Sequence, residues 1–196
     1  MFNDLPSIFG SKTKAQEILL LLNDAKAVVR QGFYETELAM VEKFCEEHKL
    51  FLVKSRFKVL LEEPSYSNKG LRVPLNDPRP GMLFVYLSKE ESAAWLAAYY
   101  ELIEDHYNLG LLLGYPECCV RYFLQNFSPE KTNLVLSPTN IYTDLTKRDQ
   151  DLVLISHFPC SSDCKASIEL GKKYLEVIER EDKERGTELK EKQKIN

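Results

Sequence analysis

Residues 51–63, FLVKSRFKVLLEE, decide the fold class, because here the spacing of apolar residues falls from 3.6 to 2. Phe51, Val53, Phe57, Val59 and Leu61 share one side, and Lys54, Arg56, Lys58 and Glu62 share the other, which is the alternation of a half-buried strand. Upstream the period is helical. Ala15, Ile18, Leu19, Leu22, Ala25 and Val29 place one apolar stripe on a helix over 12–31 that Gly32 would end, and Tyr34, Leu38, Val41, Cys45 and His48 place a second on 34–48. Cys45 reads as a small buried hydrophobe.

Downstream, residues 64–81 are rich in turn formers, and Pro74 confines any strand at 71–73 to a sheet edge. MLFVYLS at 82–88 is apolar on both faces, the pattern of a central strand. Ser88 with Glu91 begins a long, mostly buried helix reaching Leu113, and Pro116 opens another through Phe127. Residues 128–150 read as loop, 152–156 as a third candidate strand, and a last helix runs from Ser161 past Arg180. The expectation is an α+β fold, a small and mainly antiparallel sheet packed against several helices, with a single domain over 1–180 and a charged, frayed tail at 181–196.

The chain has 196 residues, 44% of them hydrophobic, with a net charge of −4 and a pI near 5.5. That charge balance removes the simplest argument for a nucleic-acid protein, leaving the row Lys54, Arg56 and Lys58, with Lys69 and Arg72 near it, as a local basic face. No apolar run is long enough to span a bilayer, and MFNDLPSIFGSK lacks the basic start and apolar core of a signal peptide. A cytoplasmic location is expected. There, clustered cysteines point to metal or thiol chemistry more than to disulfides, hyperthermophile cytosol excepted.

Four of the five cysteines lie in two short windows, LLLGYPECCVRYF at 111–123 and SHFPCSSDCKAS at 156–167. Cys118 and Cys119 fall in the first turn of a helix, where unpaired N–H groups and the helix dipole favour a thiolate. Adjacent helical residues point about 100° apart, so one of the pair is expected to face a shared centre and the other to pack in the core. His157, Cys160 and Cys164 form an HxxCxxxC pattern that can converge on one ion, with Cys118 or Cys119 as fourth ligand.

Four readings stay open at this level: unrelated buried thiols, a structural or regulatory disulfide, zinc or an iron–sulfur cluster, and a catalytic thiolate at Cys118 or Cys160 partnered by His157. Arg121 and Lys165 are placed to stabilise an anion, and Tyr99, Tyr100, Tyr107, Tyr115 and Tyr122 supply aromatic surface near the first window. Glu101, Glu104, Asp105 and His106 read as a wet helix face. No nucleotide-binding glycine motif, P-loop, serine elbow or HExxH occurs.

The two windows together resemble an uncharacterised, largely archaeal prokaryotic family with a GYPxCC motif and a later HxPCxxxC motif. The resemblance implies that Gly114, Tyr115, Pro116, Cys118, Cys119, His157, Pro159, Cys160 and Cys164 are signature positions, and it implies no activity. The functional expectation is a cysteine and histidine centre that binds metal or cycles thiols. The alternative is a non-enzymatic binding or regulatory module, stapled by disulfides, whose basic sheet face meets nucleic acid or a protein partner.

Overall fold

The computed structural model describes residues 4–61 and 70–192. Glu62 and Lys69, assigned above to the strand face and the basic face, lie outside them. The fold is α+β, and the chain divides into two compact units, one of residues 27–114 and one of residues 1–26 with 115–196.

The first unit holds a four-stranded antiparallel sheet of β1 (Val28–Phe33), β2 (Phe51–Leu61), β3 (Gly70–Pro74) and β4 (Met82–Ser88), in the order β1-β4-β2-β3. β4 is internal and Pro74 sits on the edge strand, as their sequences imply. Val53, Phe57 and Val59 of β2 are buried while Lys54 and Arg56 point outward. The helices α3 (Leu38–Glu47) and α4 (Glu91–Leu102) pack on this sheet, and α5 (His106–Leu112) follows α4. Cys45 is buried in α3, and burial, then the carboxylates of Glu42 and Glu46, push its thiol up to about 12.

Several expectations fail in this unit. The helix foreseen over 12–31 ends at Leu22, and Val28–Phe33 form β1 instead. The β-branched pair Val28 and Val29 fits a pleated surface better than a helix. Gly32 is therefore no helix stop but a strand residue against the Phe84 ring. The long helix of 88–113 breaks at Glu104, whose φ is 61°, and restarts with Asp105 capping the Asn108 N–H. Nor is its first half mostly buried. Ala94 and Ala97 face inward, whereas Trp95, Leu96, Tyr99, Leu102 and Ile103 are exposed. Glu101, assigned to the wet face, is buried in an ion pair with Arg30.

Most of the basic row is engaged locally. Lys54 pairs with Glu42, Lys58 donates to the carbonyls of Asp77 and Arg79, and Arg72 donates to those of Glu101 and Leu102 while stacking on Phe57. Each contact lowers what these side chains can offer a phosphate.

The second unit is helical: α1 (Leu5–Phe9), α2 (Lys12–Leu22), α6 (Glu117–Asn126), α7 (Lys165–Glu181) and α8 (Lys183–Lys192). Residues 152–156 form no strand. Their neighbours are side chains, with Gln16 donating to the Val153 carbonyl at 3.0 Å, Arg148 to that of Ser156 at 3.1 Å and Arg185 to that of Asp151. Buried carbonyls satisfied in this way have no need of a sheet partner. Asp151 also accepts from the N–H groups of Lys12 and Thr13, and Ser11 accepts from that of Lys14. Three of the unpaired donors at the α2 N-terminus are thereby satisfied.

Within the charged tail, Lys183–Lys192 form α8. Leu189 is fully buried in α8, and Arg185, 3% exposed, binds Glu188 and Asp151. Sequence charge hid this because one apolar side chain and the aliphatic stem of an arginine carry the packing. Leu189→Ala is expected to cost at least about 2 kcal/mol in denaturant unfolding. A frayed tail would show no change. Among the described residues no helix is long and apolar enough to cross a membrane.

Candidate metal centre

Two helix starts and one loop build the centre, all within the helical unit. Pro116 caps α6, so Glu117 is the first helical residue and Cys118 and Cys119 follow in the first turn. The N–H groups of Cys119 and Val120 bond back to the Pro116 carbonyl at 2.9 and 3.0 Å. Cys164 caps α7, which begins at Lys165 and not near Ser161 as the serines suggested. The physical reason is that Ser161–Asp163 are held in a turn. Cys164 N–H donates to Ser161 O at 3.1 Å, and Ser162 O accepts from Asn140 Nδ2 at 2.8 Å and Thr143 Oγ1 at 2.6 Å. Thr139 Oγ1 donates to Asp163 at 2.6 Å. The segment 139–143 is thus a splint that fixes the loop carrying Cys160 and Cys164.

These elements bring Cys118, Cys119, Cys160 and Cys164 together, with all four sulfurs within 4.8 Å of one another. Sγ–Sγ separations are 3.6 Å for Cys119–Cys164, 3.7 Å for Cys118–Cys164 and 3.8 Å for Cys118–Cys119. All five cysteines are free thiols, and none of these contacts is at bonding length. A group of four cysteines so close can hold a metal ion.

Two expectations are corrected here. Both members of the doublet face the centre. Cys164 lies almost equally far from each, over the seam between them, so a 100° divergence at Cβ does not separate the sulfurs. His157 is not in the group. Its Nε2 lies 2.8 Å from Ser167 Oγ, and that hydroxyl lies 3.2 Å from Cys119 Sγ, so the ring meets the sulfurs only through Ser167.

Burial and hydrogen bonding differentiate the thiols. Cys118 is exposed, Cys160 half-buried, and Cys119 and Cys164 buried. Burial raises Cys119 above the ordinary thiol range, against the bonds it accepts from Ser167 and the Cys160 N–H. Burial, then the neighbouring Cys164 and Cys118, raises Cys160 to about 11. For Cys164 burial pushes upward too, but the hydroxyl and N–H of Ser167, with Cys119 and Cys160, outweigh it and lower this thiol to about 7. Burial, then the charges of Lys26 and Arg148, lowers His157 to about 3, so the ring is neutral near pH 7.

A profile for a family described as a protein of unknown function, DUF483, matches residues 94–194, just over half of the 196-residue chain. The chain belongs to this family. The DUF483 match contains all four clustered cysteines, His157 and Ser167, whereas the four strands precede it. No curated protein and no solved structure matches the chain.

The remaining signature positions in the DUF483 segment have structural tasks. Gly114, at φ 79°, takes a left-handed conformation open to few other residues. Tyr115 packs its ring 5.1 Å from that of His157 and accepts a hydrogen bond from Ser156 at 3.3 Å. Pro159 is buried ahead of Cys160. Arg121 pairs with Glu117 at 2.7 Å on the exposed face of α6, one turn along from the sulfurs. Tyr99, Tyr100 and Tyr107 belong to the sheet unit, so of these five tyrosines Tyr115 and Tyr122 alone share a unit with the four clustered cysteines.

Sequence reading missed Ser167, Asn140 and Thr143. Asn140 after Pro138 carried a turn signal, since asparagine side chains bond their own backbone two residues on, and its Oδ1 does accept from the Tyr142 N–H at 2.9 Å. Ser167 carried none, being one serine in a helix.

Proposed function

We propose that Cys118, Cys119, Cys160 and Cys164 bind a single zinc ion as a closed tetrathiolate, a metal staple joining the start of α6 to the loop before α7. The observation that carries this reading is the sulfur spacing, 3.6 to 3.8 Å among Cys118, Cys119 and Cys164, with Cys160 within 4.8 Å of each. A tetrahedron with Zn–S bonds of about 2.3 Å has an edge of about 3.8 Å. Clusters of two or four irons spread four thiolates over more than one metal, a wider set than sulfurs all within 4.8 Å. Four sulfurs leave the ion no open position for water, so it cross-links the fold and does not act as a Lewis acid. Exposed Cys118 gives the ion its way in. The centre belongs in a reducing compartment, which keeps such thiols free.

Elemental analysis of chain purified under anaerobic conditions tests the reading, with one zinc per chain expected. Absence of metal, or a visible spectrum with two or four irons per chain, would overturn it. Affinity must also depend on pH. Thiols bind metal only after losing their protons, and Cys119 and Cys160 hold theirs through neutral pH while Cys164 loses its own near 7. Each ion bound below pH 7 therefore displaces at least about three protons, and affinity should fall about a thousandfold or more per pH unit of acidification there. Competition titration against a chelator at several pH values measures the slope, and a flat profile would count against thiol ligation.

Thiol redox chemistry is the second reading, and one observation favours it. The lowered Cys164 thiol lies 3.6 and 3.7 Å from Cys119 and Cys118. A peroxide could take two electrons from such a pair, giving a disulfide and water. Under this reading the anaerobic chain carries no metal, and two thiols disappear from the count on oxidation.

A further inference from the structure

We infer that His157 and Ser167 act as a positioning pair for the metal centre: His157 Nε2–H donates to Ser167 Oγ, which directs the serine's only proton at Cys119 Sγ. This rests on the tetrathiolate reading. Ser167 Oγ stands 2.8 Å from His157 Nε2 and 3.2 Å from Cys119 Sγ, and the serine's backbone N–H serves Cys164. One residue thus touches both buried sulfurs.

The direction of the chain follows from counting protons. A metal-bound thiolate can only accept, and a serine hydroxyl has a single proton to give. When that proton points at sulfur, the 2.8 Å contact with the ring must be a donation from nitrogen to the serine oxygen. A neutral histidine with its proton on Nε2 satisfies this, and the Tyr115 ring at 5.1 Å holds its plane. Ser167 is fully buried and His157 is 6% exposed, so water cannot substitute for either donor. A centre of four thiolates and one divalent ion carries a net charge of about −2, and donors to sulfur offset that charge where solvent does not reach. Cys119, the most buried of the four, accepts two such bonds, from Ser167 and from the Cys160 N–H at 3.4 Å.

The test uses the full chain loaded with cobalt(II), which reports on sulfur through its charge-transfer absorption. Ser167→Ala removes one oxygen atom and is expected to weaken cobalt affinity about 10- to 100-fold. It should also move the charge-transfer band to lower energy, since an undonated thiolate gives up electron density more readily. His157→Phe should do the same through a misdirected hydroxyl. His157→Gln, which keeps an N–H near the Nε2 position, should restore affinity to within about threefold and return the band, as second-layer donors behave elsewhere. If the unaltered chain binds one cobalt and Ser167→Ala and His157→Phe match it in affinity and band position, the positioning role is wrong while the metal reading stands. If the unaltered chain binds no cobalt at stoichiometric levels, the metal reading itself fails and this inference with it. Should His157→Phe fail to fold by circular dichroism, Ser167→Ala decides the matter alone.

Discussion

Zinc held at about 1,000 times its dissociation constant is expected to raise the melting temperature of the full chain by roughly 8 to 16 °C. A ligand at that excess stabilises the state it binds by about 4.1 kcal/mol, and in chains of 150 to 250 residues each kcal/mol moves the midpoint by about 2 to 4 °C. The gain arises because the sulfurs come from α6 and from the loop before α7, 41 or more positions apart in sequence, and meet only in the folded chain. Cys164→Ala should abolish the rise, since its sulfur caps the seam between Cys118 and Cys119. Cys45→Ala is the matched control. That thiol is buried in α3 of the sheet unit, so the variant should melt lower yet show the same zinc-dependent increment. Calorimetry with and without zinc reads both, and an equal increment in Cys164→Ala would remove this sulfur from the site.

The second large effect lies in the Lys26–Glu17 ion pair. Lys26 is 1% exposed in its side chain and Glu17 11%, with contacts of 2.8 and 2.9 Å from Nζ to the two carboxylate oxygens. Burial works against the ammonium, but Glu17, with Tyr115 and Tyr174, more than offsets it and raises Lys26 above its usual 10.5. Glu17→Gln leaves a buried cation without its counter-charge and should cost about 3 to 5 kcal/mol in denaturant unfolding. Replacing both partners by apolar groups, Glu17→Leu with Lys26→Met, should recover most of that loss, because two apolar side chains need no pairing.

The pH dependence should reverse as well. In the unaltered chain the raised Lys26 contributes stability that is fully present below about 10.5 and lost only as pH climbs through the higher folded value. In Glu17→Gln burial dominates and depresses the folded value, so the unfolded chain binds the extra proton. The deficit should then shrink as pH rises toward 10.5. A deficit that stays constant from pH 6 to 10 would show that the pair's charge is not what holds this region.

Periodicity carried the sheet in part. β2 and β4 were legible because alternation and a two-faced apolar run are local properties of seven to eleven residues, and β3 because Pro74 restricts a strand to an edge. β1 was not, since Val28 and Val29 satisfy a helical stripe as well as a strand. Only the antiparallel ladder with β4, from Val28 against Ser88 to Phe33 against Leu83, decides between them. The segment 152–155 shows the opposite error. Four apolar residues in a row look like a buried strand, but Gln16 and Arg185 from distant positions, with Arg148 from the preceding turn, take the neighbouring carbonyls.

At the centre the same division holds. Residue chemistry alone marked Cys118, Cys119, Cys160 and Cys164 as a set, because thiols gathered at helix starts differ from thiols scattered on apolar faces. Which atoms share a centre depended on side-chain directions that no spacing rule supplies. Cys164 could accept both members of the doublet only once Asn140 and Thr143 had pinned the Ser162 carbonyl and fixed the approach of the loop. His157 moved out of the sulfur group for a similar reason, as Ser167 on α7 came between the ring and Cys119. The amino-acid sequence determined the α+β class, the two cysteine windows and the start of α6 after Pro116, since these follow from residue type and short-range period. The tertiary structure alone decided the sulfur spacing, the role of His157 and the burial of Lys26 against Glu17, because each depends on side chains meeting within a few ångströms in directions that residue type and short-range period do not set.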